Sequence, residues 1–418
     1  MHRYGSSIPL SAEVREIVEA EHTLDGVQHL KIAVITQYFP TSEQPWAGHS
    51  AYQTLRYLAR WNEVKVFYPE VRYPKLLTPA TARRNGLDAG YRPEGVDVEY
   101  IPYPALPAVS RPLNGWVASG RLLPHVRRYR PEIILNYVVY PDGYAALRVG
   151  KALRAPVVVT AIGSDLNRIP DSLCGALTRK TLRESDGVIT VSGDLRKTAI
   201  LLGADAGRSH AILNGCDTSV FFNRDKGEAR AVLGIDPSEE VVAYVGRMDV
   251  RKGLRELIEA VVSLHERRPR LRCYLVGDGS DEGVLRELIA QKGAQEYVRL
   301  MPPCKTDGVA LWMAAADLVT LPSYKEGCPN VVLEALAAGR PVVASDVGGI
   351  PELMDDSSGR LVPAMDSGAL AVALDEVLAA KWSGDEIATR HQRGWGDVAR
   401  DVQQVLEGVL QVRPTKAN

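Results

Sequence analysis

Runs of β-branched and apolar residues alternate with helical stretches along the first half of the chain, and then the same pattern starts again. The first set is "KIAVIT" (31–36), "EVKVFYP" (63–69), "VDVEYI" (96–101), "EIILNYV" (132–138), "PVVVTA" (156–161) and "GVITVS" (187–192). Between several of them lie segments with apolar residues at helical spacing, such as "SAYQTLRYLARW" (50–61) and "GYAALRVGKALR" (143–154). Strands that are apolar throughout must be covered on both faces, which predicts a parallel sheet between layers of helices. The second set is "VVAYVG" (241–246), "LRCYLVG" (271–277), "YVRLMP" (297–302), "DLVTLP" (317–322) and "PVVASD" (341–346). The repetition predicts an α/β chain of two Rossmann-like, doubly wound domains facing a central cleft.

A length of 418 residues fits two or three domains with cores of their own. The stretch 214–240 is rich in turn formers and charge, as an interdomain link should be. The boundaries that follow are an N-terminal extension at 1–29, a first Rossmann-like domain at 30–215 and a second at 216–390. A last helix, within 391–418, is expected to pack back towards the first domain. The extension reads as an added helix, and the final "RPTKAN" as a frayed end.

Fifty basic against 51 acidic residues leave a net charge of −1, which argues against a nucleic-acid binder that works through overall charge. The five cysteines (Cys174, Cys216, Cys273, Cys304, Cys328) are scattered, without a CxxC pair or metal-ligand spacing. That usage fits a reducing compartment. With no apolar run of about 18 to 20 residues and a first segment too charged for a secretory signal, a cytosolic protein is expected.

Ligands of open parallel sheets bind beyond the carboxyl ends of the strands, so the loops after strands carry the functional reading. In "YVGRMDVRKGL" (244–254), Gly246 turns the chain and Arg247 and Lys252 precede a helix. Two cations beside free helix N–H groups make an anion site, although a solvated basic loop would look the same. "LVGDGS" places Gly277 and Gly279 one strand along, allowing close backbone approach to a ligand or simply a tight turn. "PPCKTD", with Cys304 and Lys305, is either a base-reading loop or a plain connector.

The most informative stretch is "EGCPNVVLEALAAGRPVVASDVGGIPE" (326–352). Glu326 lies in a loop and Glu334 inside the helix that follows, astride a Gly327-Cys328-Pro329-Asn330 turn leading to Val331. Pro329 presets φ near the helix start, and Gly339 ends the helix. A glutamate a turn or two into such a helix can accept hydrogen bonds from vicinal ribose hydroxyls. One in the preceding loop can reach a second sugar. Two surface acids are the plain alternative.

With these residues quoted, the chain resembles the large fourth family of retaining glycosyltransferases. "VGRMDVRKG" and "NGCDTSVF" (214–221) are similar to that family's other signatures. The resemblance spans roughly 30 to 410 and implies the B-type glycosyltransferase fold, with the sugar nucleotide held mainly by the second domain. It implies that Arg247 and Lys252 neutralise the donor diphosphate, that Glu334 binds the ribose and that Glu326 contacts the transferred sugar. The loops carrying Gly246, Gly277 and Gly279, and Cys304 and Lys305, together with the 327–331 turn, would complete the donor site.

In the first domain, Gly48 of "PWAGHSAY" matches the family's glycine-bearing loop, with His49 beside it on the acceptor side. "YPDGYAA" (140–146) and "GSDLNRIP" (163–170) resemble a bacterial subgroup of cell-wall and exopolysaccharide enzymes, including teichuronic-acid-type transferases. Where that subgroup commonly has a histidine before "YPDG", this chain has Tyr137. Asp142 and Asp165 are acceptor-side candidates, Asp142 also a catalytic one, or else cap and turn acids.

The function these readings imply is transfer of a hexosyl-type sugar from a nucleotide-diphosphate donor, UDP before GDP, with retention. The acceptor would be a glycan or lipid-linked hydroxyl in polysaccharide or cell-envelope biosynthesis. No DxD-type motif follows a strand, so no metal or other cofactor is expected. A basic amphipathic stretch, "GWVASGRLLPHVRRYRPE" (115–132), would allow peripheral contact with the inner face of a membrane, or is a surface helix with a cationic face. The rival readings are a catalytically idle partner subunit, a sugar-nucleotide epimerase or phosphorylase of related fold, and a periplasmic-type binding protein.

Overall fold

The computed structural model describes residues 28–74, 88, 90–107, 110–163, 165–166 and 172–412. The helix expected within 1–29 lies outside them except for its last two residues, as does the tail "RPTKAN".

Two parallel sheets account for the described strands. The first holds β1 (Lys31–Ile35), β2 (Glu63–Arg72), β3 (Asp97–Pro104), β4 (Ile133–Tyr137), β5 (Val157–Ala161), β6 (Gly187–Thr190) and β7 (Ser209–Ala211), in the order β3-β2-β1-β4-β5-β6-β7. The second holds β8 (Glu240–Val245), β9 (Leu271–Val276), β10 (Val298–Met301), β11 (Leu318–Leu321), β12 (Val342–Ser345) and β13 (Gly359–Val362), ordered β10-β9-β8-β11-β12-β13. The physical cause is plain in the central strands. All five residues of both β4 and β5 are buried, so neither sheet face is free for water.

Helices cover those faces. In the first domain they are α1 (His49–Trp61), α2 (Asn114–Tyr129), α3 (Tyr144–Leu153), α4 (Leu173–Glu184) and α5 (Gly193–Leu201). In the second they are α6 (Lys226–Leu233), α7 (Leu254–His265), α8 (Glu282–Gln291), α9 (Thr306–Ala315), α10 (Asn330–Ala337), α11 (Ser367–Ala379) and α12 (Gly384–Arg390). The last helix, α13 (Trp395–Val412), returns to the first domain. Its buried stripe of Trp395, Val398, Ala399, Val402, Val405 and Leu406, at helical spacing, joins the core around Leu30, Leu55 and Leu58. Asn62 donates to Gln403 at 2.8 Å across that contact. The chain therefore crosses between domains twice. The two crossings touch where Cys216 N–H donates to the carbonyl of Arg393 at 3.0 Å.

Two strands, β7 and β13, went unread in the sequence. β7 has three residues, two of them exposed, and β13 begins Gly-Arg, so neither shows an apolar run. Each sheet order reverses once, between β1 and β4 in the first domain and between β8 and β11 in the second. Those reversals open the crevices in which parallel sheets hold ligands.

Candidate active site

The loops after β8 and β11 flank the second crevice. After β8, Asp249 accepts the Arg251 N–H at 3.1 Å and so caps a single helical turn, Val250–Lys252. The same carboxylate lies 3.3 Å from Arg247 and 3.1 Å from Arg251. Asp249 was not singled out in the sequence, although an aspartate immediately before a short helical turn is a capping signal. Arg247 pairs with Asp249 yet is 70% exposed at its side chain, open to an incoming anion. The Tyr324 N–H donates to the Arg251 carbonyl at 2.8 Å, which ties the β8 loop to the β11 loop.

Across that tie, Lys252 Nζ donates to Glu326 Oε1 at 2.6 Å, both side chains largely shielded from water. The anion-site residue of one loop and the sugar-binding candidate of the other are thus direct neighbours over the strand reversal. Gly327, Cys328, Pro329 and Asn330 then lead into α10, with Pro329 at φ −75° and Asn330 the first helical residue. Burial pushes the Cys328 thiol up to about 12. One turn into α10, Glu334 is mostly buried, and that burial raises its carboxyl to about 7.

Gly277 and Gly279 have a cause other than ligand approach. A Cβ on Gly277 would sit 2.0 Å from the carbonyl oxygen of Gly246, and Gly277 takes φ +145°. The two glycine loops pack backbone to backbone, with Gly279 against Met248, and so hold Arg247 in place. Cys304 and Lys305 are exposed in the loop after the edge strand β10.

At the first crevice, Asp142 follows β4 and accepts the N–H of Gln37, which follows β1, at 2.5 Å. It is 2% exposed, and burial raises its carboxyl to about 7. The Gln37 side chain donates to Tyr103 Oη at 3.2 Å, so three strand ends converge here. Asp165 accepts N–H groups of Val139, Ile162 and Gly163 at 2.9 to 3.1 Å, the geometry of a turn acid that joins two loops. Tyr137 needs a correction as an acceptor contact. It is 5% exposed and its side chain lies in the core with Phe39 and Leu55, not on an open face. Gly48 (φ +62°) lies over the Tyr38 backbone and starts α1. His49, next to it, stacks edge-on against Trp395 of α13 with ring centroids 6.0 Å apart. Burial lowers its pKa, against the pull of Asp217.

The two crevices face one another. A Cβ on Gly163, after β5, would lie 3.3 Å from the Cα of Gly327. Asn214, in the crossing segment, donates to the Cys328 carbonyl (3.2 Å) and to Asn330 Oδ1 (2.8 Å). Among the described residues no group of three histidine, cysteine or acidic side chains is placed to hold a metal ion. A cavity of about 560 Å³ between β7 and α13, lined in part by Arg208, His210, Val405 and Val409, shares no residue with this site.

Two tandem Rossmann-like domains, with a cationic loop and a glutamate-flanked helix start across a shared cleft, define a B-type glycosyltransferase. The profile described as Glycosyltransferase Family 4 matches residues 47–220, and that described as Glycosyl transferases group 1 matches 239–380. The chain is 31% identical over 363 residues to a protein of Bacillus subtilis named as a teichuronic acid biosynthesis glycosyltransferase, TuaC, covering 82% of this chain and 88% of the relative. It belongs to this glycosyltransferase family. A D-inositol 3-phosphate glycosyltransferase of Mycobacteroides abscessus is 34% identical over 243 residues, 56% of this chain and about half (54%) of that protein. In fold the chain is similar to sucrose-phosphate synthase of Thermosynechococcus elongatus (TM-score 0.72, 22% identity, 91% of this chain and 99% of that one). It is similar also to HepE of Anabaena, solved with UDP (TM-score 0.70, 19% identity, 91% of this chain and 100% of that one).

Proposed function

We propose that the protein transfers a hexosyl-type sugar, with retention, from a nucleotide-diphosphate donor to a glycan or lipid-linked hydroxyl in polysaccharide or cell-envelope biosynthesis. The observation that carries this reading is the Lys252–Glu326 pair bridging the β8 and β11 loops, with Arg247 on the same β8 loop and Glu334 one turn into the helix that the β11 loop leads into. It supplies cations for a diphosphate, a carboxylate for sugar hydroxyls and a second carboxylate for a ribose, in one crevice. UDP is the first choice of nucleotide and GDP the second. The relative named for teichuronic acid biosynthesis supports the envelope acceptor.

As the sugar C1–O bond to phosphate breaks, the acceptor hydroxyl attacks from the same face. Its proton passes to the departing phosphate oxygen. Arg247 and Lys252 stabilise the charge growing on that phosphate, each donor being worth roughly 3 to 4 kcal/mol in a preorganised site. Asp142, on the facing domain, acts from beneath the surface by fixing the Gln37 backbone of the β1 loop on the acceptor side. Because side-chain cations serve the phosphate, full activity is expected in EDTA; its complete loss, restored by a divalent ion, would sink this part of the reading.

Thermal stability of the pure protein, measured against UDP-, GDP- and ADP-sugars, tests the donor class. Saturation at about 100 times the dissociation constant adds about 2.7 kcal/mol, an easily read shift. A preference for one nucleotide identifies the donor. No shift with any would favour the idle-subunit reading.

On the surface, Trp116 (57% exposed) and the exposed Arg121, Arg127 and Arg128 lie on α2 and Leu113 (55% exposed) just before it, while Leu122 and Val126 of the same helix are buried. This face supports peripheral contact with anionic lipid, narrower than the sequence alone implied. Among the described residues no helix is long and apolar enough to cross a membrane. Flotation with anionic vesicles should carry the protein upward, and recovery wholly in the pellet fraction would end the idea.

A further inference from the structure

Glu352 ends the Gly-Gly-Ile-Pro-Glu stretch of the second domain, and the site described above gives it no task. It lies in the helical turn Ile350–Glu352 that follows β12. Its carboxylate crosses to the other domain. Oε2 accepts the N–H of Gly193 at 2.7 Å and Oε1 that of Asp194 at 3.0 Å. These are the first two amides of α5, which no carbonyl within a helix can serve. Ser192 Oγ takes the next free one, from Leu195, at 3.2 Å. A carboxylate at a helix N-terminus is also favoured by the macrodipole.

The backbones come close along the same seam. A Cβ on Gly349 would lie 2.7 Å from the Cβ of Ser192. Contacts of that kind limit approach but set no register, whereas two hydrogen bonds to one carboxylate do. Glu352 is exposed to solvent, so the contact can open and reform.

We propose that Glu352 is a positioning residue that clasps the second domain to the start of α5. The clasp brings the Asp142 side of the cleft to the donor held by Lys252, Glu326 and Glu334. This rests on the reading of the site given above. Both Glu352 oxygens are engaged by the α5 amides, so its loss should change the population of the closed arrangement rather than the donor contacts themselves.

The test uses the full chain, with UDP as the binding probe. Glu352→Ala should leave the UDP dissociation constant within about twofold, lower kcat by about tenfold or more, and enlarge the radius of gyration in small-angle scattering. Glu352→Gln, which keeps one carbonyl acceptor, should recover part of the lost kcat. Asp194→Pro removes one of the two donors at a first-turn position where proline is tolerated; it should act in the same direction, which guards against a folding defect in the alanine variant. Wild-type kcat together with wild-type scattering in Glu352→Ala would overturn the proposal. If the wild-type protein neither binds UDP nor transfers sugar, the site reading fails, and scattering alone still decides the clasp: expansion upholds it and no change overturns it.

Discussion

With Lys252 replaced by alanine, turnover at saturating donor falls more than a hundredfold while the chain still folds. The loss corresponds to about 2.7 kcal/mol of transition-state stabilisation, in line with removing one charged donor from a preorganised site. The geometry adds a second effect. Lys252 is the 2.6 Å partner of Glu326, so the variant leaves a largely shielded carboxylate unpaired. A modest fall in melting temperature should accompany the rate loss, and removing Glu326 as well should restore stability without restoring activity. Arg247→Ala separates the two effects. Arg247 is 70% exposed, and its removal should cut turnover to a similar degree with little change in melting temperature. Near-normal rates in either variant would refute the role given to that residue.

Donor affinity should rise between about pH 6 and 8, and this rise should depend on Glu334. Burial moves its carboxyl from the usual carboxylate range up to about 7. The ionised form is the better acceptor for two ribose hydroxyls, so binding strengthens as pH climbs through 7 and levels off above it. In Glu334→Gln that pH step should vanish. In Glu334→Ala, affinity should drop about ten- to a hundredfold, the scale of hydrogen bonds to a charged group. The same shift has an opposite sign for the free protein. Between the unfolded and folded pKa values the native state binds more protons than the unfolded one, so this group lowers stability as pH rises from about 4.5 to about 7. Calorimetry of donor binding at pH 6, 7 and 8 checks the first sign, and urea unfolding across the lower range checks the second. Wild-type affinity in Glu334→Ala would remove the ribose assignment.

Particular residues show what could be read early and what could not. β4 and β5 were legible because a strand buried on both faces must be apolar throughout, and theirs are. Glu326 and Glu334 were legible because both sit in one continuous motif across a loop-to-helix join, where spacing along the chain nearly equals spacing in space. Gly277 pointed to a ligand as readily as to a turn. The Gly246 carbonyl oxygen, which a Cβ there would meet at 2.0 Å, belongs to a neighbouring strand's loop and has no trace in local pattern.

The amino-acid sequence by itself determined two parallel α/β domains, the loops in which chemistry could lie, and the residue types able to bind a phosphate and a sugar. Tertiary structure decided which of those residues meet. It put Lys252 against Glu326, 74 positions away, and the Glu352 carboxylate on α5, 159 positions away. It also withdrew Tyr137 into the core. The reason is the range of the forces involved. Burial periodicity and turn chemistry act within a few residues and leave a pattern in the chain, while ion pairs, caps from another domain and close backbone contacts depend on how finished elements pack.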